Sequence, residues 1–369
     1  QGEEVIATYV SCSFKEILKM KQKNDSDVKV LSHLNNDYTW EDLEKCSQIV
    51  AKDLFDMGVK KGSHVGICSA NSANWIITFL AVQKLGAIAC LLNFNYNEKE
   101  IADVSEVGDI THFCYGDIAT MKDKEEFISN IKAASNSKIT DFYDIRSSIV
   151  FKERICEYDS LEGLFDVKVE SDDACVMIYT SGSTGKPKGV VINHRAVTAC
   201  AAWYIRDLKL DVTRKELHHP SFSFDASTMD IIYPLAAGGA VHILSEEQRK
   251  DIGFITEYIK NNGITGMNLS TAMGMAILNN AELALDFVMM GGEKMLPVRK
   301  TDTRIINGYG PTEFTVCSCY HIVNQDTDVD IPIGRPVPNS YSVICDSYGN
   351  LMPAGIAGEL CLAGDQISD

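Results

Sequence analysis

Apolar positions recur with helical spacing directly after Thr39 and predict an amphipathic helix that ends near Gly58. Thr39 and Asp42 fit the capping pattern in which a hydroxyl and a carboxylate close the first turn of a helix. Gly58 supplies the residue type at which helices commonly stop. The apolar stripe of this helix consists of Leu43, Cys46, Val50, Leu54 and Met57.

Short continuous apolar runs, which are typical of buried strands, follow at residues 64–69 and 87–92, with a helix predicted at 74–84 between them. A second alternating region covers residues 190–310. Its predicted strands lie near residues 240–244, 266–269 and 287–290. This alternation predicts parallel sheets covered by helices.

The remaining segments have a different character. Residues 117–170 are more polar and are interpreted as a variable connection. Beyond residue 325, Gly and Pro punctuate short β-rich runs at 342–345 and 359–362. We therefore expect an α/β protein with two helix-flanked sheets and a small C-terminal β-barrel. The predicted subdomains are residues 1–170, 171–320 and 321–369, with the barrel incomplete.

Length and charge narrow the function classes. A chain of 369 residues exceeds the ~250–300 at which a single core stops growing, so at least two packed units are expected. The formal net charge of -17 argues against nucleic-acid backbones and anionic membranes as partners. The apolar run at residues 75–94 carries Gln83 and Lys84 near its middle, which favours a buried helix over a membrane span.

The twelve cysteines form no CxxC pair of the kind that holds zinc or carries redox chemistry. Cys317 and Cys319 alternate as on one face of a strand, which favours packing over metal binding. Many of the others sit inside apolar runs, and no secretory signal is visible. Reduced, buried thiols in a cytoplasmic protein are the simplest interpretation.

The segment 179–189 has the composition of a phosphate-binding loop. It follows the apolar run 174–179, and its glycines allow a close approach of the backbone to an anion. Hydroxyl and ammonium groups supply the donors. The spacing is not that of a P-loop, because Gly185 and Lys186 are followed by Pro187. The candidate phosphate ligands in this segment are Thr180, Ser181, Gly182, Ser183, Thr184 and Gly185, with Lys186 and Lys188 as its two cationic groups.

Five further motifs occur in the order found in one superfamily. They lie at residues 38–43, 224–227, 307–313, 332–336 and 358–360. With the phosphate loop, they resemble the adenylate-forming superfamily of acyl-CoA ligases, luciferases and adenylation domains of nonribosomal peptide synthetases. The chain is most similar to the large N-terminal subdomain of such an adenylation domain. The resemblance implies ATP-dependent activation of an amino acid as aminoacyl-AMP, followed by transfer to the phosphopantetheine of a carrier-protein domain.

The resemblance also implies roles for individual residues. Thr180, Lys188 and Glu313 would be catalytic, with Glu313 holding Mg²⁺, which prefers oxygen ligands. Thr312 would touch the α-phosphate. Tyr309 would stack on adenine and Asn307 would read its amino edge. The rest of the nucleotide site would consist of Gly291, Gly292, Glu293, Gly308 and Gly310. Taken singly, Glu313 and Tyr309 also fit a helix-end carboxylate and an ordinary half-buried aromatic.

Asp225 indicates the substrate class. It lies in an apolar neighbourhood beside Phe224, where an unpaired carboxylate is costly and a cationic partner is expected. By resemblance, that partner is the α-ammonium group of an amino acid. A cap on a helix over residues 227–235 is the structural alternative.

The pocket carried over from the family lacks other charged groups, and this favours a large apolar amino acid. Two methionines would give it adaptable walls. Its positions are Phe224, Asp225, Ala226, Met229, Ala272, Met289, Gly291, Gly308, Val316 and Cys317.

Several alternatives stay open. Residues 74–93 look more like the acyl-CoA-ligase version of their motif, so an acyl or aryl acid ligase is retained, as is D-alanine ligation to a carrier protein. Family members continue beyond the sixth motif with a mobile domain that carries a lysine for the reacting carboxylate. The chain ends at Asp369, before that domain. We therefore expect weak or no activity from this chain alone, and a non-catalytic nucleotide-binding protein is a further alternative.

Overall fold

The computed structural model describes residue 16 and residues 26–34, 36–160, 167–181, 187–283 and 285–368. The strands are β1 Lys29–His33, β2 Asn36–Thr39, β3 His64–Cys68, β4 Ile88–Leu92, β5 His112–Tyr115, β6 Asp141–Asp144, β7 Ala174–Ser181, β8 Pro187–Asn193, β9 Lys215–His218, β10 Ala240–Ile243, β11 Gly266–Ser270, β12 Phe287–Gly291, β13 Arg304–Tyr309, β14 Cys319–Ile322, β15 Arg335–Pro336, β16 Ser340–Cys345 and β17 Glu359–Gly364.

The α-helices are α1 Trp40–Asp56, α2 Ala73–Lys84, α3 Glu98–Val107, α4 Lys124–Ala133, α5 His194–Leu208, α6 Ala226–Ala237, α7 Ile252–Asn262 and α8 Thr271–Asn280. Short 3₁₀ helices occur at Phe151–Ser160, Gln248–Lys250 and Thr312–Phe314.

Two large sheets organise the molecule. The six-stranded sheet has the order β6-β5-β3-β4-β7-β8, parallel except for β8. The nine-stranded sheet has the order β15-β14-β13-β12-β11-β9-β10-β1-β2, with a parallel centre from β13 to β1 and antiparallel edges. The predicted α/β class with two helix-flanked sheets is confirmed.

The packing places helices on both faces of each sheet. One core cluster contains residues of α1, α2, α5 and α6 together with residues of both sheets, so these helices lie between the sheets. A second cluster packs α7 and α8 on the outer face of the nine-stranded sheet. A third packs α3 and α4 against the six-stranded sheet. The result is a helix–sheet–helix–sheet–helix stack.

The helix predicted after Thr39 is confirmed in detail. The Thr39 hydroxyl accepts a hydrogen bond from the Asp42 backbone, and the Asp42 carboxylate accepts one from the Thr39 backbone. The helix ends at Asp56, and Gly58 takes a φ of +99°, in the region that favours glycine.

Sheet membership does not follow the boundary predicted at residue 170. Strands β7 and β8 lie beyond it yet complete the first sheet, while β1 and β2 lie before it and pair into the second. Residues 117–170 are also more than a connection, since they contribute α4 and the edge strand β6. Apolar runs predict that a strand forms, but not which strand it pairs with.

The predicted strands near the C-terminus are present, but a closed barrel is not shown. Within the described residues, β16 and β17 form a two-stranded antiparallel ribbon. The barrel therefore stays a prediction. In the part of the chain that the structure describes, no helix is both long and apolar enough to span a bilayer.

Candidate active site

The candidate site lies at the carboxyl ends of the parallel strands β12 and β13. The 3₁₀ helix Thr312–Phe314 follows β13 and packs against β8. It is also linked by a hydrogen bond to Asp225 at the start of α6. Ligands of open α/β sheets commonly bind at such carboxyl ends of strands. The sheet edge, the β7–β8 hairpin and the start of α6 thus frame one site.

The hairpin presents the ends of the predicted phosphate loop. Thr180 pairs with Lys188, and Ser181 pairs with Pro187, in the antiparallel register of β7 and β8. The Lys188 side chain is exposed. The predicted ligands Gly182, Ser183, Thr184 and Gly185 lie outside the described residues, and their roles stay predictions.

Tyr179 anchors the base of this hairpin. Burial raises the pKa of its phenol far above the ordinary value. Its hydroxyl lies in space left by Gly108, where a Cβ atom would come within 1.9 Å of that oxygen. Gly108 therefore makes room for Tyr179, which directly precedes Thr180.

The candidate adenine surface is formed by the ends of β12 and β13. Gly291 pairs with Gly308, and a Cβ on Gly291 would lie 2.7 Å from the Gly308 carbonyl oxygen. Gly292 takes a φ of +93°. Tyr309 is 40% exposed at the strand end, as an aromatic ring offered for stacking would be. Gly310 packs directly against the Val316 backbone.

Asn307 is buried, and its amide nitrogen donates to the Pro332 carbonyl oxygen over 2.8 Å. This bond fixes the amide orientation and leaves the Asn307 side-chain oxygen as an acceptor. An acceptor is the group that an adenine amino edge requires. Glu293, also predicted at this surface, is exposed.

Asp225 is the N-terminal cap of α6, so the structural alternative considered for it describes a real feature. Its Oδ1 accepts the Ala226 N–H over 2.7 Å, and its Oδ2 accepts the Thr312 hydroxyl over 2.7 Å. Burial, reinforced by the negative charge of Glu313, raises the pKa of Asp225 above its ordinary value. Among the described residues no cation is paired with it.

The structure brings part of the predicted pocket together. Met229, Met289 and Cys317 are buried, and a Cβ on Gly308 would lie 3.3 Å from the Met289 sulfur and 3.7 Å from the Cys317 sulfur. Ala226 and Val316 are half-buried. Ala272 is exposed in the first turn of α8, and Phe224 is 57% exposed, so neither forms part of the buried wall.

The backbone beside this pocket is held in an unusual conformation. Thr315 and Val316 have φ values of +47° and +72°, which non-glycine residues seldom adopt. The Thr315 hydroxyl is buried and donates to the Gln366 carbonyl oxygen over 2.6 Å. Such conformations persist where the surroundings enforce them and cluster at ligand sites.

A polar network behind the pocket was not predicted from the sequence. It consists of Tyr204, Glu216, His218, Asp230 and Asn268, all of them buried. The network joins β9 and β11 to α5 and α6. The available sequence signal was Asp230, a carboxylate inside the apolar run of α6.

The donor set suits a magnesium ion that is held mainly by nucleotide phosphates. Glu313 is exposed on the 3₁₀ helix, and no group of three or more His, Cys, Asp or Glu side chains that could hold a metal occurs in the described residues. Mg²⁺ commonly uses one or two carboxylates together with substrate phosphates. Glu313 fits that mode of binding.

The fold is that of an α/β protein in which the β7–β8 hairpin, the start of α6 and the ends of β12 and β13 lie at one site. Residues 19–369 match the sequence profile of the AMP-binding enzyme family, and the chain belongs to that family. It is 28% identical to bacitracin synthase 1 of Bacillus licheniformis over 330 residues, 89% of this chain but 6% of that protein.

Solved structures agree on the fold. The N-terminal subdomain of Klebsiella oxytoca NpsA in complex with 3-hydroxybenzoyl-AMSN superposes with a TM-score of 0.79 at 21% identity, over 96% of this chain and 88% of that one. Holo-AB3403, a four-domain nonribosomal peptide synthetase bound to AMP and glycine, gives a TM-score of 0.80 at 21% identity. The match covers 98% of this chain and 26% of that one.

Proposed function

We propose that this chain activates an amino acid with ATP, forming aminoacyl-AMP and pyrophosphate. The observation that carries the proposal is Asp225, a half-buried carboxylate at the strand-end site that no cation neutralises in the described part of the chain. Membership of the AMP-binding enzyme family supports the use of a nucleotide in this reaction. Asp225 supplies the reason to choose an amino acid over a simple carboxylic acid.

The reaction requires a carboxylate oxygen of the substrate to attack the α-phosphorus of ATP while pyrophosphate leaves. Catalysis of such a displacement depends on positioning and on neutralising charge. In our proposal Thr180 and Lys188 hold phosphate oxygens, Thr312 donates to the α-phosphate, and Glu313 holds Mg²⁺. The metal ion would neutralise charge on the phosphates. Tyr309 and Gly291 would bracket adenine, and the Asn307 side-chain oxygen would accept its amino group.

Asp225 would bind the α-ammonium group of the substrate. Its desolvation makes the isolated carboxylate costly, and an ammonium group provides both charge and hydrogen-bond donors. A simple fatty or aryl acid would leave Asp225 with only the neutral donors Ala226 N–H and Thr312 hydroxyl and with no cationic partner. The site of Asp225 is therefore better matched to an amino acid than to an acid without an amine.

The side chain of the amino acid would enter the space beside Gly308, Met289 and Cys317. None of these residues offers a charged or strongly hydrogen-bonding side chain, so a polar substrate side chain would remain unpaired there. Thioether walls adapt to varied apolar shapes. We propose a large apolar amino acid such as phenylalanine, leucine or methionine.

Transfer of the activated amino acid to phosphopantetheine on a carrier-protein domain is the second half of the proposal. It is supported by the similarity to a synthase of bacitracin and to a four-domain peptide synthetase. The chain spans only a small part of those proteins, which leaves room for separate carrier domains in a protein of that kind.

The proposal is tested by ligand binding to the 369-residue chain. Calorimetry with AMP present would compare phenylalanine, leucine and methionine with aspartate, lysine, D-alanine and phenylpropionate, the des-amino analogue of phenylalanine. We expect an apolar amino acid to bind and phenylpropionate to bind at least tenfold more weakly, because Asp225 would stay unpaired. Equal binding of both would favour an acyl or aryl acid ligase, and binding of D-alanine alone would contradict the proposed large apolar side chain.

Asp225→Ala provides the matched variant. Removing one partner of a fully buried ion pair costs about 3–5 kcal/mol, and Asp225 is half-buried, so the variant should lose most of its amino-acid binding. AMP binding should remain. If phenylalanine binds Asp225→Ala as tightly as the unmodified chain, Asp225 is only a helix cap.

A further inference from the structure

The carboxylate of Asp225 and the hydroxyl of Thr312 are joined by a hydrogen bond of 2.7 Å, although 87 positions separate them in the chain. Asp225 caps α6, the helix that carries the buried pocket residue Met229, and Thr312 begins the 3₁₀ helix that packs against β8 of the β7–β8 hairpin. The bond therefore connects the amino-acid side of the site with the phosphate side.

We propose that the Thr312 hydroxyl is shared between the two halves of the site. It donates to Asp225 while the amino-acid pocket is empty, and it turns to the nucleotide phosphate once an ammonium group occupies Asp225. The inference rests on the proposed function and goes beyond it by making amino-acid binding and nucleotide binding cooperative.

The chemistry of a hydroxyl group requires Thr312 to donate either to Asp225 or to the phosphate. Thr312 has one proton to donate, so it cannot serve Asp225 and a phosphate oxygen at once. The Asp225 carboxylate favours keeping this hydrogen bond, because it is half-buried and lies near the negative charge of Glu313. Its other oxygen is already used by the Ala226 N–H.

An ammonium group removes the conflict. It brings three donors and a full positive charge, so it satisfies Asp225 better than one neutral hydroxyl does. Thr312 is then free to donate to the phosphate. A nucleotide that binds first must instead either break the bond to Asp225 or forgo the Thr312 hydroxyl, and in both cases its affinity is reduced.

A double-mutant cycle tests the inference without knowledge of the amino acid. The probe is AMP alone, and its dissociation constant is measured by calorimetry for the 369-residue chain, Asp225→Ala, Thr312→Val and the double variant. Asp225→Ala should tighten AMP binding about fivefold, because it frees Thr312 for the phosphate. In the Thr312→Val background the same change should have a clearly smaller effect, because no hydroxyl remains to be freed.

Removing Asp225 also removes a negative charge near the phosphate. The cycle separates this loss of repulsion from the release of the Thr312 hydroxyl. Repulsion acts with or without the Thr312 hydroxyl, so an equal gain in both backgrounds would overturn the proposal. Thr312→Ser keeps a hydroxyl that can be freed, so Asp225→Ala should still tighten AMP binding in the Thr312→Ser background. Asp225→Ser is a second truncation, which keeps the cycle usable if Asp225→Ala does not fold.

The outcomes also distinguish this inference from the function on which it rests. If no variant binds AMP, the proposed nucleotide site is contradicted. If AMP binds and the two substitutions act additively, the nucleotide site stands and only the shared hydroxyl is excluded. If the cycle shows coupling, amino acid and AMP should also increase each other's affinity by the same factor.

Discussion

The Nδ1 atom of His218 lies 3.2 Å from the Asp230 carboxylate in the interior of the protein, and neither side chain has any exposed surface. The Asn268 amide bonds the same carboxylate and the Tyr204 hydroxyl. The His218 ring stacks on Phe222 at a centroid distance of 4.5 Å. The contact between His218 and Asp230 links the end of β9 to α6, the helix that carries the pocket residues.

Loss of Asp230 should therefore be severe. Asp230→Ala leaves His218 and one N–H of the Asn268 amide without an acceptor in a site closed to water, and such a loss costs about 3–5 kcal/mol of unfolding free energy. Asp230→Asn keeps the shape and one acceptor and should cost less. Urea denaturation measures both values. Glu247→Ala, at an exposed carboxylate, should change stability by less than about 0.5 kcal/mol. A similarly small effect for Asp230→Ala would show that the network does not stabilise the fold.

Gly108 should be necessary for the geometry of the β7–β8 hairpin. In Gly108→Ala the new methyl group would meet the Tyr179 hydroxyl at 1.9 Å and the ring carbon that bears it at 3.1 Å. Tyr179 must then shift, and Thr180 follows it in β7. We expect weaker AMP binding together with a loss of stability of about 1–3 kcal/mol.

The matched rescue is Tyr179→Phe in the Gly108→Ala background. It removes the closest of the two clashing atoms and leaves the aromatic ring in place. Calorimetry with AMP and thermal unfolding should both recover in the double variant. If the double variant is no better than Gly108→Ala alone, the effect of the methyl group does not pass through Tyr179.

Much of the fold could be predicted because it depends on local rules. The capping box at Thr39 is complete within four residues, and the strands β3, β4, β11 and β12 lie where continuous apolar runs predicted them. Pairing between strands is not local. β1 pairs with β10, which lies far along the chain, so no local pattern indicated this pairing and the predicted boundary at residue 170 did not describe it.

The candidate site could likewise be predicted in its local motifs but not in its long-range contacts. Motifs with fixed spacing predicted a functional role for Asp225 and for residues 307–313, because each motif is defined by residues that are neighbours in the sequence. The bond from Thr312 to Asp225 spans 87 positions and follows only from the folded arrangement. The same holds for Asn307, whose amide is oriented by Pro332. Residue types predict chemistry, whereas the sharing of one proton between two groups requires the structure.

The elevated pKa of Asp225 predicts that amino-acid binding depends on pH. Burial and the charge of Glu313 raise this pKa in the free protein, and a bound ammonium group would lower it. Affinity should therefore be complete above the free-state pKa and should fall as pH drops through it, by up to about tenfold per unit. Calorimetric titration of phenylalanine at decreasing pH measures this. In Asp225→Asn, whose side chain does not titrate, this contribution should disappear. The same slope in that variant would assign the titration to another group.

Gly308 should set the size of the amino acid that is accepted. A side chain added there would point between the Met289 and Cys317 sulfurs, into the space proposed for the substrate side chain. A Cβ in Gly308→Ala would lie 3.3 Å from the flexible Met289 thioether, so the fold should tolerate it. Phenylalanine should then bind at least tenfold more weakly, while smaller apolar amino acids lose less.

Gly291 is the matched control because it lies opposite Gly308 but faces backbone. A Cβ there would lie 2.7 Å from the Gly308 carbonyl oxygen, which cannot move without disturbing the pairing of β12 with β13. Gly291→Ala should therefore lower unfolding free energy by about 1–3 kcal/mol and weaken all amino acids alike. Gly308→Ala should keep its stability and change the order of preference. If both variants lose phenylalanine and smaller amino acids in equal proportion, Gly308 does not border the substrate side chain.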